Sequence, residues 1–335
     1  MKNSTKVRWG LLSTANINHH LIPVIRASKR GELVAVASRS LPIAEKYANK
    51  WSIPSAFGSY QEMLDSGKID VVYVSLPNHL HAEWSIRALQ AGLHVLCEKP
   101  FAITLEQVDQ MIETSHLTGK VLAEAFMYRH HPQTKIVGEW VRSGRLGEIS
   151  LVSGVFNFKI KQRDDVRLVA EYGGGCLWDV GVYPLSFAQY VFGGPPSTVL
   201  GMQWTGDTGV DETFVGQMRY PGDRLAVIAS SFRTEFHINM EIFGTEGRLS
   251  LSRPFSAMDN NRHLLFYSNK GKAKEVLVPK QELYIGEVED MHAAILDQAP
   301  NYLTMQETRN HICTTLALYE SARSGKLETL RLSTG

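Results

Sequence analysis

The sequence has few of the features that mark several large protein classes, and cysteine is the clearest case. Its 335 residues include three cysteines, Cys97, Cys176 and Cys313, which are widely spaced and form no CxxC motif. This usage predicts free thiols in the reducing cytoplasm and disfavours a disulfide framework or a zinc site. We therefore expect no metal in this protein.

Excess charge of one sign and long apolar runs are missing as well. The formal net charge is +1, and no basic stripe is present, which disfavours a nucleic-acid partner. No apolar run approaches the ~18–20 residues that span a bilayer, and residues 1–10 have no apolar segment typical of a signal peptide. What is present is 44% hydrophobic residues, enough for two domain cores in a chain of this length.

Short apolar runs alternate with helical spacing over the first ~125 residues. The runs do not alternate in polarity, which is typical of parallel strands covered on both faces. They lie at 7–12, 33–38, 71–76, 94–96 and 121–123, with helical patterns at 17–28, 42–51, 79–91 and 105–117. The pattern predicts an α/β Rossmann domain, a doubly wound parallel sheet, over residues 1–124.

Longer strand-like stretches dominate after residue 125. They lie at 149–160, 199–204, 214–220, 224–231 and 238–243, and helical patterns lie at 132–143, 287–297 and 304–324. The glycines at 244 and 247 predict a tight turn between two antiparallel strands. Residues 125–335 are therefore predicted to form an α+β domain with a mostly antiparallel sheet.

The first predicted strand ends in a stretch of small residues that precedes a helix. Gly10, Ser13 and Ala15 mark this turn, although their spacing departs from the strict G-x-G-x-x-G/A pattern of dinucleotide-binding loops. One interpretation is a loop that binds a pyrophosphate with amides at a helix N-terminus. The other is an ordinary strand–turn–helix corner.

The second predicted strand ends in Ser38-Arg39-Ser40. An NAD enzyme places an acidic residue here for the ribose 2′-hydroxyl, whereas an arginine can bind a 2′-phosphate. The tripeptide favours NADP(H), with NAD(H) still possible. The alternative is a solvated arginine at a loop tip.

An ordered set of motifs runs along nearly the whole chain. It begins with Pro77-Asn78-x-x-His81, Ala91-Gly92-x-His94-Val95 and Glu98-Lys99-Pro100. It continues with 124–129 (EAFMYR), 131–133 (HPQ), 173–175 (GGG), Asp179-x-Gly181-x-Tyr183-Pro184 and 244–247 (GTEG). This set resembles the Gfo/Idh/MocA oxidoreductase family. The resemblance implies a Rossmann domain followed by an α+β domain with a large open sheet, assembled as a homodimer or homotetramer partly through that sheet.

The resemblance also implies the catalytic residues. Lys99 of the Glu-Lys-Pro motif corresponds to the central catalytic lysine, and Asp179 and Tyr183 are expected to face it across the nicotinamide. Tyrosine at the last position is similar to the dihydrodiol, glucose–fructose and sugar-ketoreductase branches, which disfavours an inositol substrate. A sugar, keto-sugar or related cyclic polyol is the expected substrate.

The chemistry of alcohol oxidation suits these side chains. A hydride and a proton leave together, so one group accepts the proton and another stabilises charge on oxygen. Tyr183 has an unperturbed pKa of ~10, which a nearby ammonium such as Lys99 would lower. Asp179 and Tyr183 are four residues apart and share a helix face. Without the resemblance, a surface lysine and a core tyrosine would be the simpler interpretations.

Several further residues are candidates for ligand contacts. Arg167 is a candidate for holding the substrate, whereas residues 163–165 are interpreted as a solvated loop. Asn78 and His81 are candidates for the cofactor, with polar capping of the following helix as the alternative. The remaining predicted cofactor contacts are Thr14, Asn16, Ile17, Leu76, Pro77, Glu98 and Arg129, besides Gly10, Ser13, Ala15, Ser38, Arg39, Ser40 and Lys99.

Two other functions remain open at this stage. One is a non-catalytic member of the same family that binds nucleotide and regulates a partner. The other is a trans-dihydrodiol-type dehydrogenase, whose substrate is aromatic. The presence of both Lys99 and Tyr183 favours an enzyme over the regulator.

Overall fold

A computed structural model describes residues 6–256, 263–268, 271 and 273–330. The chain forms two compact units that are not contiguous in sequence. The first contains the described residues up to His130 together with Glu282–Thr308, and the second contains His131–Gln281 and the described residues from Arg309 on. This differs from the predicted division into 1–124 and 125–335, because a late segment folds with the first unit.

The first unit is built on a parallel sheet whose strands alternate with helices. In chain order these are β1 (Val7–Leu12), α1 (Asn18–Ala27), β2 (Gly31–Ala37), α2 (Leu41–Trp51), β3 (Ser55–Phe57), α3 (Tyr60–Asp65), β4 (Val71–Val74), α4 (His81–Gln90), β5 (His94–Glu98), α5 (Leu105–Thr118) and β6 (Leu122–Ala125). The strand order is β3-β2-β1-β4-β5-β6, and every neighbouring pair is parallel. This is the order of the dinucleotide-binding Rossmann fold.

Continuous burial explains why these strands have no polar alternation. All four residues of β4 are buried, and Trp9 and Leu11 of β1 have no exposed surface. Both faces of a parallel sheet lie under helices, so each residue of a central strand needs an apolar side chain. The predicted α/β Rossmann fold is confirmed.

The segment 282–308 packs against the rest of the first unit through polar contacts that no local sequence pattern predicts. Its helix α8 (Ile285–Leu296) carries His292, which is fully buried. The Trp9 indole N–H donates to His292 Nε2 at 2.9 Å, and Arg30 forms an ion pair with Asp297 at 2.6 Å. These contacts span more than 260 residues, so local patterns could not reveal them.

The second unit contains a nine-stranded sheet. Its elements before residue 282 are α6 (Pro132–Arg142), β7 (Ile149–Asn157), a π-helical turn (Leu177–Gly181), α7 (Val182–Phe192), β8 (Thr198–Thr205), β9 (Asp211–Tyr220), β10 (Arg224–Ser231), β11 (His237–Gly244), β12 (Gly247–Ser252), β13 (Leu264–Ser268) and β14 (Ala273–Glu275). Helix α9 (Met305–Ser324) begins just before the boundary of the units, and β15 (Glu328–Thr329) follows it.

The strand order is β14-β13-β12-β11-β7-β10-β9-β8-β15. All pairs are antiparallel except β7 with β10. Gly244 pairs with Gly247 across a two-residue loop, as the predicted turn requires. The mostly antiparallel open sheet is therefore confirmed, and in the described part of the chain no helix is long and apolar enough to cross a membrane.

Candidate active site

The candidate residues of the first unit lie where the order of the parallel sheet reverses. Strands β1 and β4 are neighbours there. The chain continues from β1 to β2 and β3 on one side of this pair and from β4 to β5 and β6 on the other. The Ser13 hydroxyl lies 2.9 Å from the Ser75 carbonyl oxygen and 2.9 Å from the Ser75 hydroxyl. Ligands of open α/β sheets bind at this kind of reversal, outside the carboxyl ends of the strands.

Side chains of the loop after β1 and of the helix that follows form hydrogen bonds to the loop backbone. Ser13 has a φ of +154°, which is rare for a residue other than glycine, and its hydroxyl accepts the Ala15 amide at 3.1 Å. The buried Asn18 side chain donates to the Ser13 carbonyl at 2.9 Å. Gly10 is buried inside β1, whereas Thr14, Asn16 and Ile17 are at least partly accessible. Strained backbone of this kind is concentrated at functional sites.

The end of β2 presents a cation next to a helix N-terminus. Arg39 is exposed, Ser38 is buried with its amide bonded to the Phe57 carbonyl at 3.0 Å, and the half-buried Ser40 immediately precedes α2. The free amides of a helix N-terminus and a guanidinium both favour an anion. This arrangement is compatible with the predicted 2′-phosphate contact.

The loops after β4 and β5 are joined by one buried histidine. His81 Nδ1 lies 2.8 Å from the Pro100 carbonyl oxygen, and Nε2 lies 2.7 Å from the Leu76 carbonyl oxygen. Burial lowers the pKa of His81 to about 4, although both carbonyls favour the protonated ring. Both ring nitrogens are turned toward the protein, and a neutral ring donates to one of the two carbonyls. His81 is therefore packed between the loops that carry Pro77, Asn78 and Lys99.

Glu98 anchors the Glu-Lys-Pro motif to the sheet. The Tyr73 hydroxyl donates to Glu98 Oε1, and the Lys99 amide donates to Oε2 at 3.2 Å. Burial raises the pKa of Glu98, while the Lys99 ammonium and the Tyr73 hydroxyl act against this change. Lys99 itself is half-buried at the carboxyl end of β5, which is the edge at which the Ser13 loop also lies.

A second buried acid lies near this motif. Glu287 of α8 is 2% exposed, and within the described residues neither of its carboxyl oxygens has a hydrogen-bond partner. Burial and the charge of Glu98 raise its pKa, which favours the uncharged form. The sequence analysis did not identify Glu287, because it is more than 180 residues away in the sequence.

Arg129 is buried in a short 3₁₀ turn, with only 2% of its surface exposed. It pairs with Glu307 Oε1 at 2.8 Å and lies 6.0 Å from the Tyr302 ring centroid. Burial acts to raise the pKa of Glu307, but Arg129 holds it below its usual value. The predicted cofactor contact at Arg129 stays a prediction, and the structure gives this arginine a clear packing role.

The candidate residues of the second unit lie on a π-helical turn and on α7, which follows it. Asp179 lies in the turn and is partly accessible, and Tyr183 lies in the first turn of α7 with 6% of its surface exposed. The Tyr183 ring is packed against Phe156 and Phe255 at centroid distances of 5.5 Å and 5.3 Å. Single π turns occur frequently at functional sites.

Arg167 is held by two carboxylates. Its Nε lies 2.9 Å from Asp179 Oδ2, and its Nη1 lies 3.1 Å from Asp165 Oδ2. The charge of Asp179 raises the pKa of Arg167 more than any other contact. Residues 163 and 164 are exposed, as predicted for a solvated loop. The loop also forms ion pairs, Asp165 with Arg167 and Arg163 with Glu212 at 2.9 Å.

Two glycines let the loop before the π turn fold tightly. A Cβ on Gly174 would lie 2.5 Å from the Arg167 carbonyl oxygen, and one on Gly175 would lie 2.0 Å from Asp211 Oδ1. The Gly175 amide also donates to the Arg167 carbonyl at 2.9 Å. The run of glycines therefore brings the Arg167 loop against the turn that carries Asp179.

Comparison with known proteins identifies the family. A model described as an oxidoreductase family with an NAD-binding Rossmann fold matches residues 7–126, and the GFO/IDH/MocA C-terminal domain matches residues 134–250. The chain belongs to the Gfo/Idh/MocA family. The resemblance in the ordered motifs is confirmed, and the two matched regions together cover more than half of the chain.

Similar members of the Gfo/Idh/MocA family have assigned activities. The chain is 34% identical to D-xylose 1-dehydrogenase (NADP(+)) 2 of Haloferax volcanii, over 95% of this chain and 98% of the relative. It is 34% identical to trans-1,2-dihydrobenzene-1,2-diol dehydrogenase of Danio rerio, over 73% of this chain and 74% of the relative. The fold matches a 3-ketoreductase of Actinomadura kijaniata in complex with NADP and TDP-benzene, with a TM-score of 0.88, 26% identity, and 95% and 98% coverage.

Each unit of this Gfo/Idh/MocA protein assembles part of the predicted set of site residues. The first brings together the ends of β1, β2, β4 and β5, and the second brings Arg167 to Asp179 in the same helical region as Tyr183. No sequence signal identified Ser75, Tyr73 and Asn18, which form hydrogen bonds to Ser13 and Glu98. None identified Asp211 either, which is bonded to the residues between the glycine run and Asp179. Within the described ranges no group of three His, Cys, Asp or Glu side chains is arranged to hold a metal.

Proposed function

We propose that this protein is an NADP(H)-dependent oxidoreductase that transfers a hydride between the nicotinamide and a hydroxyl or carbonyl of a sugar, keto-sugar or related cyclic polyol. The observation that carries the proposal is the position of Lys99. It lies at the carboxyl end of β5, one strand from the reversal of a Rossmann sheet, with its backbone held by Glu98 and the next residue held by His81. A lysine whose backbone is held at this edge suits a substrate oxygen next to a nicotinamide.

The residues at the carboxyl edge of the first unit fit a dinucleotide. The strained Ser13 loop and the N-terminus of α1 suit a pyrophosphate, and Ser38, Arg39 and Ser40 suit a 2′-phosphate better than a bare 2′-hydroxyl. Asn78 and Glu98 remain candidates for the ribose. When bound, the nicotinamide supplies the hydride or accepts it.

The protein's own part in the reaction is to move the proton and stabilise charge on oxygen. We assign the proton transfer to Tyr183 and the stabilisation of the oxyanion to Lys99. Phe156 and Phe255 restrict the Tyr183 ring, so its hydroxyl has a defined direction. Asp179 is held by Arg167, which keeps the carboxylate oriented for a substrate hydroxyl.

Relatives that act on sugars and keto-sugars support the substrate class. The Haloferax enzyme is named for D-xylose and the Actinomadura enzyme as a 3-ketoreductase. The Danio enzyme acts on a trans-dihydrodiol, so a cyclic trans-diol is the second candidate. Both substrate types present a secondary alcohol, which is the group that Lys99 and Tyr183 are proposed to oxidise.

A substrate panel tests the proposal directly. Purified protein is assayed with NADP⁺ and NAD⁺ against aldoses, cyclic polyols and trans-dihydrodiols, and with NADPH against keto-sugars. Turnover of a sugar-type compound that is lost in Tyr183→Phe supports the proposal. Preferred turnover of the dihydrodiol selects the second candidate. Tight NADPH binding without turnover of any compound would overturn the enzyme in favour of the nucleotide-binding regulator.

We also propose that the protein is a homo-oligomer that acts in the cytoplasm and pairs through the open face of the second sheet. Strand register puts Leu200, Met202, Val215, Leu225 and Val227 on one face, and each is 37–75% exposed. Contiguous apolar surface of this kind is typical of an interface. The three buried free thiols suit a reducing compartment.

Light scattering coupled to size-exclusion chromatography tests the interface. Met202→Asp is expected to reduce the molar mass to that of a monomer, because it buries a charge in the interface. Leu117→Asp is the matched control, since Leu117 is 80% exposed in the first unit. A wild-type monomer, or a Met202→Asp protein of unchanged mass, would contradict this assembly.

A further inference from the structure

A buried carboxylate lies beneath the π-helical turn that carries Asp179. Asp211 is the first residue of β9 and is 2% exposed. Its Oδ2 accepts the Leu177 amide at 2.8 Å and the Cys176 thiol at 3.1 Å. Its Oδ1 accepts the Tyr319 hydroxyl from α9 at 2.8 Å. Three donors from two separate elements therefore converge on one side chain.

One of these contacts satisfies the first amide of the turn, that of Leu177. The opening amides of a helical segment have no partner within the segment, and a carboxylate satisfies them while also favouring their partial positive charge. The residue before the turn, Cys176, makes no capping hydrogen bond to it. Asp211 therefore caps the turn, although it lies 34 residues away in the sequence. The residue next to the turn provides no such cap.

The absence of a side chain at residue 175 leaves space for this carboxylate. Gly175 has a φ of +123°, and a Cβ there would lie 2.0 Å from Asp211 Oδ1 and 2.9 Å from the Tyr319 hydroxyl oxygen. The same glycine is bonded through its amide to the Arg167 carbonyl. Asp211 is therefore bonded to the π turn and lies against Gly175, whose amide is bonded to the Arg167 loop.

The electrostatics keep this contact set intact. Burial raises the pKa of Asp211, while the Leu177 amide, the Cys176 thiol and the Tyr319 hydroxyl act in the opposite direction. Burial and the Asp211 charge together raise the pKa values of Cys176 and Tyr319. The thiol and phenol consequently stay protonated and continue to donate.

We propose that Asp211 is a positioning residue for the reaction: its carboxylate holds the π turn so that Asp179 and Tyr183 keep the orientation that turnover requires. The proposal rests on the proposed function, because it assumes the roles given there to Asp179 and Tyr183. Asp211 does not itself touch substrate. Misplacement of reacting groups by about 1 Å can cost ~10²-fold in rate, so the loss of this cap should be visible in kcat.

The experiment compares Asp211→Asn with Glu212→Gln. Glu212 is the adjacent buried carboxylate, but it pairs with Arg163 and not with the π turn. Hydrogen–deuterium exchange of residues 174–183 reports the turn without any assay of activity. In parallel, kcat, KM, the pH profile of kcat and the Kd for NADPH are measured for both variants and for Tyr319→Phe, which removes a single donor.

The expected result is selective. Asp211→Asn should speed exchange in 174–183 about tenfold or more and lower kcat about 10²-fold, with a shifted pH profile and NADPH Kd within threefold of wild type. Tyr319→Phe should change the same quantities less, and Glu212→Gln should leave them unchanged. Faster exchange in Asp211→Ala than in Asp211→Asn would identify the hydrogen bonds as the cause, because the asparagine oxygen can still accept some of them.

Two outcomes overturn the positioning role. One is equal kinetics in Asp211→Asn and Glu212→Gln. The other is faster exchange throughout the second unit, which would indicate a general loss of stability. If wild type turns over no substrate, the proposed function fails by itself. Exchange confined to 174–183 would then still support the cap, and unchanged exchange there would overturn it.

Discussion

The candidate residues form two halves, one in each unit, and the two halves are held in opposite ways. In the first unit, the site residues follow the ends of regular strands, and most contacts join residues that the parallel sheet brings to one edge. In the second unit, Asp179 and Tyr183 lie on a π turn and a helix whose position depends on Asp211 and on Tyr319 of α9. One half is supported by repeated backbone geometry, the other by individual long-range side chains.

This difference predicts where function should tolerate substitutions. A strand end is positioned by many hydrogen bonds and by apolar burial on both faces, so no single side chain controls it. A π turn opens the regular hydrogen-bond pattern, and a few buried polar contacts decide its path. The first half should respond mainly to changes in residues that touch ligands, and the second half also to changes in residues that do not.

The largest effect that would sharpen this comparison is expected at Lys99. Lys99→Ala should lower kcat by ~10³-fold, because the oxyanion loses its ammonium. The Kd for NADPH should stay within about tenfold, or ~1.4 kcal/mol. Steady-state kinetics and fluorescence titration with NADPH measure the two quantities. Lys99→Arg is the matched control for charge, and an unchanged kcat in Lys99→Ala would eliminate the proposed role.

A second effect concerns the acid sensitivity of the first unit. The pKa of buried His81 is lowered to about 4, below an unfolded value of ~6.5, so the folded state binds fewer protons. Stability is therefore present at neutral pH and is lost as pH falls through the window from 6.5 to 4. The loss from His81 between pH 7 and pH 5 should be about 2 kcal/mol.

Urea unfolding at pH 7 and pH 5, combined with peptide-level hydrogen exchange, measures this loss. The pKa of His94, in the same unit, is also lowered to about 4 by burial, so urea unfolding reports both histidines. Exchange in the loops that His81 joins separates the His81 contribution. A His81→Asn variant that folds should lose part of this pH dependence. Stability of the first unit that is independent of pH between 7 and 5 would contradict the assignment of a neutral buried ring.

The smallest of the three effects is expected at Arg39. Arg39→Ala should weaken NADPH binding about tenfold more than NADH binding, since one charge-assisted contact to a phosphate contributes roughly 1.5–3 kcal/mol. Isothermal titration with both cofactors measures the ratio. Arg26→Ala provides the control, because Arg26 is an arginine in the last turn of α1 in the same unit. Equal losses for the two cofactors would remove the 2′-phosphate assignment.

Sequence reasoning succeeded where periodicity and strand order act together. Val7–Leu12 and Arg224–Ser231 were predicted with the bounds that the structure has, and the parallel and antiparallel character of the two sheets followed from burial patterns. The short strand β3 and helix α3 were missed, since three to six residues are too few for a periodic signal. The helix that Asp179 and Tyr183 were predicted to share begins instead as a π turn.

For the candidate residues, the sequence predicted which positions follow strands but did not predict their side-chain contacts. Ser13, Arg39, Asn78 and Lys99 follow strands and therefore stand out in the sequence. His81 was predicted as a cofactor contact, yet in the structure its ring bridges the Leu76 and Pro100 carbonyls. Periodicity assigns a residue to a face of an element, but it does not identify the carbonyl that lies opposite its side chain.

By itself, the order of residues determined the parallel sheet, its nucleotide-type loops and the ordered motifs of the family, because apolar periodicity and turn chemistry are local properties. Only the tertiary structure decided that residues 282–308 return to the first unit, that Glu287 is buried near Glu98, and that Asp211 caps the turn of Asp179. Each of these contacts joins residues far apart along the chain. Their energy depends on burial and on hydrogen-bond geometry, which exist only after the chain has folded.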